Sequence, residues 1–171
     1  MSVTELSIRT DRLHMRHALT SDAAFFCQLM NDPDWLAFIG DRNIHDERAA
    51  ADYIVNHTQA AYERRGIGMC VVTLDDVPIG LCGLNLRQHL TQVDLGFAFL
   101  PDYRRNGYAF EAASASILHA RNTLGLQELI AITLPENTIS QRLLTRLGFR
   151  FARLLEPNEQ GEVLALYQQT L

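Results

Sequence analysis

Several features that would assign a function directly are missing from this chain. No apolar run approaches the ~20 residues that a membrane-spanning helix requires, and Met1 to Arg9 has no apolar leader stretch. Cysteine is scarce, with three residues at 27, 70 and 82. Cys70 and Cys82 fall in apolar, strand-like runs, so they read as buried free thiols in a reducing cytoplasm. No Cys-x-x-Cys or His-x-x-x-His spacing occurs, so no metal is expected. Positive charge is not in excess. The formal net charge of −5 argues against a broad nucleic-acid surface. A Gly-x-x-x-x-Gly-Lys-Ser/Thr phosphate loop is also absent, which weakens any reading as a generic nucleotide-binding domain. With no repeat, low-complexity tract or Pro/Ser-rich linker, nothing divides the chain, and residues 1–171 read as one domain. What remains is an ordinary globular composition, 47% hydrophobic and 20% charged.

The patterning supplies the elements. Arg12 to Arg16 alternates polar and apolar, as a half-buried strand does. Thr20, Ser21 and Asp22 offer capping side chains to a helix over Ala23 to Met30, which Asn31-Asp32-Pro33-Asp34 breaks. A second helix begins at Asp46 and Glu47, carries Ala50, Tyr53, Ile54, His57 and Ala61 on one face, and ends at Arg64-Arg65-Gly66. Ile67 to Leu74 and Ile79 to Leu86 are strands joined in a hairpin at Asp75-Asp76-Val77-Pro78, apolar on both faces and therefore central. Gln92 to Leu100 is a further strand. A helix after Gly107 buries Phe110, Ala113, Ile117 and Leu124, and its alanines, with Ser114 and Ser116, keep it slim. The chain closes with a strand over Leu129 to Leu134, a helix lined by Ile139, Leu143, Leu144 and Leu147, and strands over Phe151 to Leu155 and Val163 to Thr170. Gly148-Phe149 has the Schellman pattern. The expected class is a mixed α/β single domain with a central, mostly antiparallel sheet of about seven strands and about four helices.

The most informative stretch is Phe97 to Ala109. An apolar strand stops at Pro101, a short loop carries Arg104, Arg105 and Asn106, and Gly107 opens an alanine-rich helix with Tyr108 and Ala109. Such a layout aims backbone N–H groups and a helix N-terminus at one spot, which suits a diphosphate with no cationic side chain required. Gly107 matters because a Cβ there would obstruct close backbone approach.

Arg104-x-x-Gly107-x-Ala109 resembles the acetyl-CoA loop of the GNAT N-acetyltransferase superfamily. Asn137-x-x-Ser140-x-x-Leu143-Leu144-x-x-Leu147-Gly148-Phe149 resembles its second cofactor motif. Thr10-Asp11-Arg12-Leu13, together with the serine at 140, looks like the branch containing the RimJ/RimL-like ribosomal-protein N-terminal acetyltransferases. The resemblance covers nearly the whole chain. It implies that the strand carrying Phe99 splays from the strand carrying Leu134 to admit pantetheine, with acetyl-CoA as cosubstrate and no metal. Cofactor contacts are then expected at Phe99, Leu100, Arg104, Arg105, Asn106, Gly107, Tyr108, Ala109 and Asn137. The Phe99 backbone N–H becomes a candidate to polarise the thioester carbonyl. Asp94 lies where many relatives carry a glutamate base. Being one methylene shorter, it acts directly, through a water, or only as a hydrogen-bonding carboxylate. Ser140 is the candidate donor to the leaving sulfur, because the tyrosine many relatives use one turn later is Leu144 here. Ser140 and Asn137 are equally suited to stabilising the helix start.

For the acceptor, Trp35 and Phe38 stand as an apolar wall beside Asp32, Asp34 and Asp41, or else both aromatics pack into the core. The acidic loop Glu156 to Glu162 borders the cleft or is a solvated hairpin. The six histidines read as surface or packing residues, and Arg142 and Arg146 as a solvated face or a 3′-phosphate contact. The expectation is a cytoplasmic acyltransferase, monomeric or homodimeric, acting on a peptide N-terminus or a small primary amine, with no nucleic-acid or membrane partner. A non-catalytic acyl-CoA sensor is the alternative from another class.

Overall fold

In a computed structural model describing residues 5–171, the first elements are β1 (Ser7–Arg9), β2 (Leu13–Arg16), α1 (Ala23–Met30), α2 (Pro33–Phe38), α3 (Glu47–Tyr53) and α4 (Ala60–Arg65). They are followed by β3 (Met69–Leu74), β4 (Val77–Asn85), β5 (Asp94–Phe99), α5 (Tyr108–Asn122), β6 (Glu128–Thr133), α6 (Thr138–Arg146), β7 (Arg150–Leu154) and β8 (Ala165–Thr170). The expectation of no leader falls partly on residues 1–4, outside the described chain.

The strands form one sheet of order β1-β2-β3-β4-β5-β6-β8-β7. Every neighbouring pair is antiparallel except β5–β6, which is parallel and registers only at Asp94 and Ile130. This is the expected mixed α/β fold with its splay. Among the described residues it has eight strands rather than about seven. The extra one, β1, is three residues long and carries no alternation the sequence could reveal.

Six α-helices stand among the described residues, rather than about four. Asp32 and Pro33 end one helix and start another. Asp32 caps α2 by accepting from the N–H groups of Asp34 and Trp35, and Pro33 sits at a first-turn position where its missing N–H costs nothing. Asp46 caps α3 through the Ala49 N–H at 2.7 Å, and a π-helical segment, Ile54–Gln59, joins α3 to α4. That wider turn keeps Ala50, Ile54, Thr58 and Tyr62 in one buried row, and it leaves His57 exposed instead of on the buried face. The β3–β4 hairpin turns on Asp75 and Asp76 alone, both at positive φ (48° and 64°). Two such residues match the twist of the strands, so Val77 and Pro78 already belong to β4.

Side chains alternate across the sheet into two cores. On one face Cys70, Val72, Cys82, Leu84, Leu95 and Phe99 pack with α5. On the other Val71, Leu81 and Leu100 pack with Phe26, Leu29, Met30, Ala50 and Ile54 of α1, α3 and the π segment. The fully covered face of α5 is made of Ala112, Ala113, Ser116 and Ala120. Phe110, Ile117 and Leu124 flank it half-buried, because small side chains let the helix axis sit close to β4 and β5. α6 ends as expected: Phe149 N–H donates to Leu144 O (3.0 Å) and Gly148 N–H to Thr145 O (3.1 Å), the Schellman pair. Leu144 and Phe149 are 1% and 2% exposed, whereas Ile139 is 72% exposed and plays no part in the core.

Candidate active site

The site follows from how β5 ends. Leu100 N–H donates to Ile79 O on β4 at 2.9 Å. Strand alternation therefore turns the N–H and C=O of Phe99, and of Phe97, away from β4 and toward β6. The β5–β6 ladder registers only at Asp94, where Ile130 N–H reaches Val93 O at 2.9 Å. Beyond Asp94 the two strands diverge, and the Phe97 and Phe99 amides face the opening wedge. Phe99 itself is anchored: its ring lies where a side chain on Gly80 would be, an added Cβ meeting it at 2.5 Å. Only glycine permits that seat.

After one tight turn, Pro101–Tyr103, the chain carries Arg105 at φ 63° and Gly107 at φ 81°, the latter capping α5 without a side-chain bond. The first intrahelical bond runs from Glu111 N–H to Gly107 O at 3.0 Å. The N–H groups of Tyr108, Ala109 and Phe110 consequently point out of the helix end. The two positive-φ residues and the open helix start form a cradle of donors beside the wedge, and these residues fit a diphosphate.

Two expected cofactor residues are engaged elsewhere. Leu100 spends its N–H on Ile79, its C=O accepts from Tyr103 N–H, and its side chain is 7% exposed in the α1–α3 core. Arg104 donates its N–H to Pro101 O at 3.2 Å. Its guanidinium bonds the Phe99 carbonyl (2.9 Å), Asp34 (2.5 Å) and Asp32 (2.6 Å). Arg104 thus straps α2 to the end of β5 rather than turning toward an anion, because two carboxylates lie within its reach. Arg105, Asn106, Gly107, Tyr108 and Ala109 remain at the cradle.

Support comes from the other end of the chain. Thr10 Oγ1 donates to Glu111 Oε1 at 2.6 Å, and the Arg12 N–H donates to the same oxygen at 2.9 Å. Arg12 Nε reaches Glu111 Oε2 at 2.7 Å, and its Nη1 reaches the Asn106 carbonyl at 2.9 Å. Burial pushes the Glu111 carboxyl up, but these bonds outweigh it and hold the group below the usual carboxylate range. No sequence signal announces a partnership across ninety-nine residues, although both partners sit within segments the sequence had marked.

Asp94 is 1% exposed and bonds Arg87 Nε at 2.6 Å. Burial raises its pKa, and Arg87 opposes that rise by charge and hydrogen bond. Phe99 lies five positions beyond Asp94, about 17 Å of strand, so the two cannot serve one thioester; the Phe97 N–H lies nearer the carboxylate. Ser140 is half-buried in the first turn of α6, with its N–H donating to Asn137 Oδ1 at 3.2 Å. Asn137 therefore caps the helix, as one of its two expected roles required. Gln141, which the sequence did not single out, ties α6 to the end of β6 through the carbonyls of Leu134 (3.3 Å) and Pro135 (2.6 Å).

Trp35 does not stand in a cleft wall. It is 8% exposed, packed in the α1–α3 core, and its Nε1–H donates to Gly40 O at 3.1 Å. The short helix α2 turns this ring inward. Phe38 is half-buried, while Leu36 and Ile39 stay 40% and 42% exposed. Arg146 lies over the Phe110 ring at 4.8 Å, in an open groove with Arg142, Thr138 and Tyr167. Glu162 closes its own loop through Asn158. No group of three or more His, Cys, Asp or Glu capable of holding a metal occurs among the described residues, and none of their helices is long and apolar enough to cross a membrane.

The chain matches the family model described as an acetyltransferase (GNAT) domain over residues 12–150. Among curated proteins, it is 30% identical over 146 residues to YoaA of Bacillus subtilis (strain 168), an uncharacterized N-acetyltransferase, covering 84% of this chain and 82% of that one. An acetyltransferase of Agrobacterium tumefaciens str. C58 superposes with a TM-score of 0.81 at 26% identity, covering 97% of this chain and 95% of the other. RimL, a ribosomal-protein alpha-N-acetyltransferase solved with coenzyme A, shares the fold at a TM-score of 0.84 and 14% identity, covering 97% and 98%.

Proposed function

Since the chain belongs to the GNAT acetyltransferase family and is an acyltransferase, we propose that it moves an acetyl group from acetyl-CoA to a primary amine by direct attack within a ternary complex. The observation that carries this reading is the β5–β6 wedge, registered at one residue pair, opening beside the Arg105–Ala109 cradle. The cosubstrate supplies an activated acyl group; the chain's residues supply its placement. The amides of Gly107, Tyr108 and Ala109, at the positive end of α5, take the diphosphate oxygens. Phe99 N–H, at the mouth of the wedge, suits a pantetheine amide. The Phe97 N–H, two residues deeper and turned the same way, suits the thioester carbonyl, where it is worth most as negative charge develops.

An attacking amine must be neutral and must lose a proton. Asp94, whose pKa burial raises against the opposing Arg87, is placed to receive it through one water in the Phe97 region. Ser140, half-buried at the start of α6, donates to the departing sulfur. Phe38 and the exposed Leu36 and Ile39 of the α2 segment border the acceptor. The resemblance to the ribosomal-protein branch favours a protein N-terminal amine over a small one, and the domain works in the cytoplasm as a monomer or homodimer.

Two observations favour the second reading, a non-catalytic acyl-CoA sensor. Asp94 is already paired with Arg87 at 2.6 Å, and Leu144 fills the tyrosine position with a core side chain. The deciding experiment measures acetyl-CoA binding by calorimetry, and coenzyme A release over a panel of small amines and N-terminal peptides. Turnover on any member establishes the enzyme. Tight binding with no turnover on any member establishes the sensor, and no binding removes both.

A further inference from the structure

We propose that Arg12 is a direct ligand of the coenzyme A diphosphate, completing the cradle from the opposite end of the chain; this rests on the reading of Arg105–Ala109 as the diphosphate site. The guanidinium is fixed before any ligand arrives. Its Nε is bonded to Glu111 (2.7 Å), its Nη1 to the Asn106 carbonyl (2.9 Å), and its plane covers the Tyr108 ring at 4.5 Å from the centroid. Those contacts orient the remaining terminal nitrogen, Nη2, to within 3.2 Å of where a Cβ on Gly107 would lie. The one bare side of the cradle's capping residue is therefore faced by a guanidinium nitrogen whose neighbours hold it still. Arginine presents its donors in a planar fork, so anchoring two nitrogens leaves the third aimed.

The charge arrangement supports a ligand there. A cation beside a helix N-terminus is ordinarily unfavourable, since both are positive. Here Glu111, four residues beyond the Gly107 cap, offsets Arg12, and the pair together with the helix end still presents donors outward. An incoming diphosphate restores the missing negative charge. Because the arginine side chain is already ordered, binding loses little of its conformational freedom.

The alternative is that Arg12 only props the loop through Glu111 and Asn106, and the test separates the two. Coenzyme A binding is measured by calorimetry at low and high salt for wild type, Arg12→Gln, Arg12→Lys and Glu111→Gln, with thermal melts of each without ligand. A charge-assisted bond to phosphate predicts an about 10- to 100-fold loss of affinity for Arg12→Gln, a smaller loss for Arg12→Lys, and a smaller loss still for Glu111→Gln, which leaves the guanidinium in place. The salt dependence of binding should also weaken in Arg12→Gln and persist in Arg12→Lys. Equal losses for Arg12→Gln and Glu111→Gln with unchanged salt dependence overturn the proposal, as does wild-type affinity in Arg12→Gln. If wild type itself binds no coenzyme A, the reading of the loop falls instead.

Discussion

Arg104 is the motif arginine whose position departs most from expectation, and replacing it tests whether it is a strap. In Arg104→Met the stem packing is kept and three bonds vanish, to Asp32 (2.6 Å), Asp34 (2.5 Å) and the Phe99 carbonyl (2.9 Å). The Asp34 contact counts for little, since that carboxylate is 60% exposed. Asp32 is different: its side chain is 7% exposed, and it would be left as a nearly buried, unpaired charge. Breaking a fully buried pair costs about 3–5 kcal/mol. Because the guanidinium is itself 33% exposed, the expectation is lower, about 2 kcal/mol. For a chain of this size that is a fall in Tm of about 4–8 °C. Asp32→Asn keeps the cap on α2 and removes the charge, so in the double variant the two losses should not add. Urea unfolding of the four proteins completes the cycle. A loss under about 0.5 kcal/mol in Arg104→Met, or full additivity, refutes the strap.

Three further outcomes are expected. Gly107→Trp places a side chain in the cradle at φ 81°, with Arg12 3.2 Å from its Cβ; circular dichroism should stay near native while calorimetry shows coenzyme A binding lost, and retained micromolar affinity would exclude the loop. Ser140→Ala should lower kcat about 10-fold or more with coenzyme A affinity within about twofold, the pattern of a group acting in the transition state; an unchanged rate leaves Ser140 as a helix-start residue. The third concerns acid. Burial lowers the pKa of His17, whose Nε2 is buried without a partner beside the Tyr62 ring at 3.9 Å. Burial likewise lowers His119, and burial with Arg9 and Arg16 lowers His14. Unfolded imidazoles take up protons near 6.5 and the folded ones only at lower pH, so stability should fall as pH drops through that window. Urea midpoints across it should slope less in His17→Phe, and an identical slope would assign the effect elsewhere.

What could be read from sequence was what is local in sequence. The Gly148-Phe149 ending, the Asp46 start, the two central strands and the helix start at Gly107 each rest on residues within a few positions of one another, and each is found as expected. The errors share a cause. Pro33 resembled a break because a first-turn proline and a helix breaker have the same letter, and only the Asp32 cap distinguishes them. The buried stripe of α5 lies to one side of the expected one and shares Ala113 with it, since large flanking residues outweigh alanines in any apolar count while the alanines make the close contact. Trp35, Arg104 and Arg12 were legible as residues that mattered but not in their partners, which lie in other elements. Arg104 could be placed near a diphosphate by motif; that Asp32 would take it first depends on α2 folding back beside β5.

These partners link the two regions proposed to hold donor and acceptor. The cradle is not a free-standing loop. The residue just before it, Arg104, is bonded to α2, the segment proposed to border the acceptor, and its capping turn is tied through Arg12 to the Thr10–Leu13 turn ahead of β2. On the proposed reading, a diphosphate in the cradle would bear on both contacts, since each ends within a residue or two of it. The Phe99 carbonyl receives Arg104 Nε, and the amide of the same residue faces the wedge; on the proposed reading, a shift of the guanidinium would therefore be felt by α2 and by the wedge together. Any coupling between the proposed donor and acceptor sites is reciprocal: whatever factor coenzyme A adds to acceptor affinity, the acceptor returns to coenzyme A, and Arg104→Met should bring that factor toward one in both directions.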